Sequence, residues 1–84
     1  MNAKIDEGGD RARAMEIFVA VIDKGSFSAG GRLLRLSPSG GSRTIDRIEA
    51  RLGARLLLRS TRALAMTADG EAYYHAARRI LADL

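Results

Sequence analysis

The chain has 84 residues, with 14 Lys+Arg against 10 Asp+Glu and a formal net charge of +4, which leaves room for one small domain and excludes a multi-domain enzyme. The lack of Cys excludes a disulfide framework and thiolate metal sites, and the lone His75 cannot build an imidazole cluster, so no metal or cofactor is expected. The longest apolar run, residues 17–22, is far shorter than the roughly 20 residues that span a bilayer, and no basic segment leads into an apolar stretch as a secretory signal would; the reading is a cytoplasmic, non-enzymatic module without a membrane partner.

Residues 1–10 are polar, carry Gly8-Gly9 and lack periodicity, which predicts a disordered leader. Over residues 11–24, Ala14, Phe18, Val21 and Ile22 recur on one helical stripe, widened by Met15 and Ile17, and Gly25 is placed to end that helix. Ser28 is expected to cap a short helix over 29–35. Ser37 is expected to cap a third helix with Pro38 at its first position, where a missing N–H costs nothing. That helix should run to Leu52, with Ile45, Ile48 and Leu52 turned inward and Gly53 at its end. The second and third helices, so closely joined, are a helix-turn-helix candidate. Residues 56–59 and 64–67 read as two brief strands around a Ser60-Thr61-Arg62 tip, a wing-like hairpin. Thr67 can cap a last helix from Ala68, whose stripe is Tyr73, Ala77, Ile80 and Leu84 with Ala76 and Leu81 beside it. The expected fold is mostly α: a winged helix-turn-helix of three helices, a short β-hairpin and a C-terminal helix. Its domain limits fall at 11–67, with 68–84 beginning the last helix.

Charge is unevenly spread. Residues 1–10 are net acidic, whereas residues 32–62 hold Arg32, Arg35, Arg43, Arg47, Arg51, Arg55, Arg59 and Arg62 against Asp46 and Glu49 alone. Arginine's planar fork suits bidentate contact with phosphates and guanine edges, where lysine acts as a point charge. Arginine gathered in one segment points to nucleic acid, although a charge run also serves as a solvated face.

The residue-level pattern is more specific. Phe18-x-x-Val21, Gly25-Ser26-Phe27-Ser28-Ala29, and Leu34-x-Leu36-Ser37-Pro38-Ser39-x-x-Ser42-Arg43-x-Ile45 follow in one ungapped register. Ile48-Glu49-x-x-Leu52-Gly53-x-x-Leu56-x-x-Arg59 and Thr67-x-x-Gly70-Glu71 continue it. This segment, about two-thirds of the chain, resembles the N-terminal DNA-binding domain of the LysR-type transcriptional regulators. The resemblance implies sequence-specific binding of promoter DNA as a homodimer, with the last helix as the linker that pairs with its twin through Tyr73, Ala77, Ile80 and Leu84. It also implies a C-terminal effector-binding domain, which these 84 residues do not contain, so no effector is expected to bind this segment. The compartment implied is the cytoplasm, on nucleoid DNA.

Departures from the family pattern fall at Gly30, Gly40 and Gly41, where Ala, Ala, and Val or Leu are usual. Position 41 lies one turn before Ile45 on the inward stripe, so Gly41 omits a core side chain, and each helical Gly costs roughly 0.5–1 kcal/mol relative to Ala. Gly40-Gly41 reads either as close approach to DNA or as a weakened helix start. Gly31 is expected to serve a close helix crossing.

The DNA chemistry can also be argued from the residues. A helix N-terminus directed at the major groove brings a positive dipole and free N–H groups to phosphates. Ser37, Ser39, Ser42 and Arg43 cluster at that end of the third helix; hydroxyls bond bases or phosphates, and arginine can grip O6 and N7 of guanine. The resemblance assigns base reading to Pro38, Ser39, Ser42 and Arg43. Arg47, one turn on, is better suited to a phosphate. At the wing the resemblance assigns Arg62 to the minor groove, with Ser60 and Thr61 near the backbone and Arg59 among the DNA-binding residues. Ser37 reads mainly as a cap, and Arg43 and Arg47 have Asp46 and Glu49 as alternative partners.

Signals for catalysis are weak. Gly25-x-x-x-x-Gly30 begins like a phosphate loop but continues Gly31-Arg32 instead of Lys-Ser or Lys-Thr. His75 reads as a surface or interface residue. A protein-interaction module using the last helix, with DNA binding weakened or lost, is the alternative function. A membrane-surface protein would need basic and apolar faces on one long helix, which the spread of arginines does not give.

Overall fold

A computed structural model of the chain describes residues 3–37, 39–58 and 64–84. Among them, four helices and one hairpin follow in order: α1 (Ala3–Lys24), α2 (Phe27–Leu33), α3 (Gly40–Leu52), β1 (Leu57–Leu58), β2 (Ala65–Met66) and α4 (Ala68–Ala82). α1 is the central element and packs on α2, α3 and α4. Its stripe buries Ala14, Ile17, Phe18 and Val21 against Ile45 and Ile48 of α3 and Leu56 and Leu57 of the wing. Each large apolar side chain so enclosed contributes about 1.5–3 kcal/mol. Phe18 meets Tyr73 of α4 edge-on, with ring centroids 5.0 Å apart.

Several expected boundaries shift. α1 starts at Ala3, so residues 3–10, expected as a disordered leader, continue the helix. Once a packed helix exists, extending it is far easier than nucleating one, and Gly8-Gly9 weakens that extension without ending it. α2 is capped by Ser26, not Ser28: Ser26 is extended and its Oγ accepts the Ala29 N–H at 3.0 Å. This earlier start places Phe27 at the first helical position, half-buried against the core.

α2 ends in a Schellman turn, with Leu36 N–H donating to the Gly31 carbonyl at 2.8 Å and Arg35 N–H to that of Arg32 at 3.1 Å. Arg35 therefore takes the left-handed position, at φ 61°. From α1, Arg13 donates to the Leu34 carbonyl at 3.0 Å, a cation at a helix C-terminus. The close helix crossing belongs to Gly30 and not to Gly31. A Cβ at Gly30 would stand 2.5 Å from the Val21 Cα, whereas one at Gly31 would find ordinary contacts at 3.6 Å.

α3 begins at Gly40 after Ser39, which makes no side-chain cap; the expected Ser37 cap is replaced by a turn in which Gly40 N–H donates to the Ser37 carbonyl at 2.9 Å. Pro38 lies outside the described residues. Ile45 and Ile48 face inward as expected, but Leu52 is 51% exposed, because the last turn of α3 passes beyond the edge of the core. Gly53 ends the helix at φ 67°.

The hairpin is antiparallel, with Leu57 opposite Met66 and Leu58 opposite Ala65. Thr67 closes its base twice: its hydroxyl donates to the Arg55 carbonyl at 2.6 Å and accepts the Gly70 N–H at 2.9 Å, capping α4. A Cβ on Gly70 would sit 2.0 Å from the Leu56 carbonyl oxygen, so α4 starts pressed onto the strand. Among the described residues, no helix is long and apolar enough to cross a membrane.

Candidate nucleic-acid interface

The expected cluster spans the residues just before α3 and the outward side of its first two turns. Ser37, Ser39, Arg43 and Arg47 are exposed and Ser42 is half-buried. Arg43 donates to the Ser39 Oγ at 2.6 Å. Two residues expected to read bases are thus joined, and the fork of Arg43 lies along the helix start. Ser39 does not cap the helix because its backbone stands at φ −97°, ψ 0°, outside the extended region from which an N-cap side chain reaches the first-turn amides.

Glu49, an alternative partner for Arg43 and Arg47, is engaged elsewhere. It is only 8% exposed, and its carboxylate accepts the Leu56 N–H at 2.8 Å and the Leu57 N–H at 3.2 Å. Arg55 approaches its other oxygen at 3.7 Å. Glu49 therefore ties the end of the candidate recognition helix to the first strand of the wing. The sequence held a signal for this, since position 49 is one turn after Ile45 and adjacent to Ile48 on the inward stripe. Arg59, Ser60, Thr61 and Arg62 lie outside the described residues.

The stripe expected on the last helix divides. Ala77 is buried and Tyr73 half-buried within the monomer, while Ile80 is 43% exposed and Leu84, which follows the end of α4 at Ala82 and does not lie in the helix as expected, is 83% exposed. Burial raises the Tyr73 phenol above its ordinary value, and the Arg51 charge opposes that rise. Beside it, Tyr74 donates its hydroxyl to Asp23 of α1 and accepts from Arg78 at 3.2 Å, joining α4 to the last turn of α1. His75 is exposed and packs edge-on against Tyr74.

Comparison with known proteins places this arrangement. Residues 12–71 match the family described as bacterial regulatory helix-turn-helix protein, lysR family. The HTH-type transcriptional activator AaeR of Escherichia coli (strain K12) is 40% identical over 72 residues, covering 86% of this chain and 23% of that protein; the chain spans about a quarter of the length of such relatives. Among solved structures, the BenM DNA-binding domain with benA site 1 DNA matches at a TM-score of 0.82 and 32% identity, covering 86% of this chain and 81% of that one. The complex of the CbnR DNA-binding domain with DNA matches at 0.77 and 38% identity, covering 83% and 80%.

Proposed function

The chain belongs to the lysR family of bacterial regulatory helix-turn-helix proteins, a family of regulators and not of enzymes, and from that membership we propose that it binds double-stranded promoter DNA, with the N-terminal half of α3 in the major groove. The observation that carries this reading is the exposed Ser39–Arg43 pair at the start of α3, in a fold shared with domains solved as DNA complexes.

In this reading Arg43 grips a guanine edge, and Pro38, Ser39 and Ser42 lie against neighbouring bases. Ser37 and Arg47 meet phosphates. Arg62 enters the minor groove, with Arg59, Ser60 and Thr61 along the backbone. Two copies join through the exposed Ile80 and Leu84, backed by Tyr73 and Ala77, so that two recognition helices address successive faces of the duplex. The work is done in the cytoplasm, on nucleoid DNA.

Arg43→Ala should lose roughly 1–3 kcal/mol of discrimination between a selected operator and random DNA, read by competition binding. Equal weakening on every sequence would make Arg43 a phosphate contact and sink the base-reading role. For the dimer, sedimentation over a wide concentration range should show self-association that Ile80→Asp or Leu84→Asp abolishes; a monomer throughout, even on palindromic DNA, would refute it.

A further inference from the structure

Arginine recurs at every fourth position of α3 from Arg43 through Arg47 to Arg51. Four residues advance about 40° beyond a full turn, so the row starts on the outward face and winds toward one flank. That flank is the one facing α1. A cleft of about 250 Å³ there is lined by Ala14, Thr44, Arg47, Ile48 and Arg51. A second, of about 290 Å³, is lined by Arg11, Met15, Ile48, Arg51, Leu52 and Tyr73. Ile48 and Arg51 border both clefts, so the guanidiniums continue from α3 onto Arg11 of α1. Among the described residues, no carboxylate lines either cleft, and all four arginines are exposed.

The row from Arg43 to Arg51 extends roughly 12 Å along the helix axis. A DNA strand carries a charge for about every 3.4 Å of its own axis, so such a row can face several phosphates of one strand. We propose that Arg51 and Arg11 form a phosphate track, holding the backbone beside the groove that Arg43 reads and adding affinity without base preference. The proposal rests on the DNA-binding reading above and adds two residues that neither the motif nor the arrangement at the start of α3 assigns.

The test is the salt dependence of binding to a random-sequence duplex of roughly 20 base pairs, followed by fluorescence anisotropy between about 50 and 200 mM salt. Each neutralised phosphate contributes about 0.9 to the slope of log affinity against log salt. Arg51→Ala and Arg11→Ala should each lower the slope by about that amount, equivalent to roughly a threefold smaller loss of affinity over the range. Arg51→Gln, which keeps the aliphatic stem beside Tyr73, should behave like Arg51→Ala, and Arg51→Lys should retain the slope. Arg79→Ala, which removes the same charge from the exposed face of α4, should leave it unchanged. Unaltered slopes in the Arg51 and Arg11 variants, alongside a reduced one in Arg47→Ala, would overturn the track and spare the parent reading. An equal loss in Arg79→Ala would overturn it in favour of net charge. If the unaltered chain binds no duplex at any salt, both fall together.

Discussion

At its C-terminal end α3 is held by several independent contacts. Gly53 adopts the left-handed position and returns its N–H to the Glu49 carbonyl at 2.8 Å, while the Glu49 side chain holds the amides of Leu56 and Leu57 at the start of the wing. The N-terminal end has two successive glycines and no side-chain cap, and its one serine–arginine bond lies at the surface. In the proposed role, α3 has to be placed firmly and still fit itself to a groove. Here the two requirements are divided between its ends: one fixes the angle to the wing, and the other presents polar groups on a weakly constrained first turn.

Breaking the fixed end should have the largest effect. Glu49→Ala leaves two buried amides without their acceptor and should cost about 3 kcal/mol, measured by chemical unfolding. Glu49→Gln keeps an acceptor and should recover most of that. If both variants melted like the parent, the tie between helix and wing would be unimportant. The contrast between the ends can be reduced by stiffening the other one. A Cβ at Gly41 would meet Val21 Cγ2 at 3.4 Å and the Phe27 carbonyl at 3.6 Å, ordinary contact distances. Gly41→Ala should therefore raise stability by about 1 kcal/mol through helix propensity and one buried methyl. Gly41→Val should gain less because its further methyls press on Val21 and Phe27. A lower melting temperature for Gly41→Ala would mean that the first turn has no such room. The smallest effect is expected at the surface. Ser39→Ala frees the Arg43 fork and should weaken operator binding by roughly 0.5–1 kcal/mol, with stability unchanged to within about 0.5 kcal/mol. A stability loss larger than the binding loss would make Ser39 a structural residue.

The elements that depend on near neighbours were legible from the residues alone. The stripe through Phe18 and Val21, the inward Ile45 and Ile48, the Gly53 stop, the hairpin and the Thr67 cap all follow from periodicity or turn chemistry within a few positions. The choice between Ser26 and Ser28, or between Ser37 and Ser39, was not legible, because each pair offers two oxygens within reach of the same helix start. For α2 the burial of Phe27 decides; for α3 neither side chain caps, because the Ser39 backbone leaves the extended region at φ −97°, ψ 0°. The close crossing at Gly30 depends on the path of α1, which the local pattern does not give, so the family's preference for a small residue at position 31 pointed to Gly31 instead. At the site, the exposure of Arg43 and Arg47 could be read from the inward stripe, which leaves their face to solvent. Arg51 stood in the same arginine-rich segment, but only packing against α1 shows what lies beside it.

Arg35 holds a position where the backbone favours glycine, and a side chain in that left-handed conformation costs about 1 kcal/mol. The turn leading to α3 thus retains an exposed positive charge at the expense of a more relaxed backbone. Replacing it with glycine would be a simple route to a hardier domain and would also remove one cation from the most basic stretch of the chain. Thermal tolerance and attraction to a polyanion pull in opposite directions at this residue, so selecting variants for heat resistance alone should tend to erode the second.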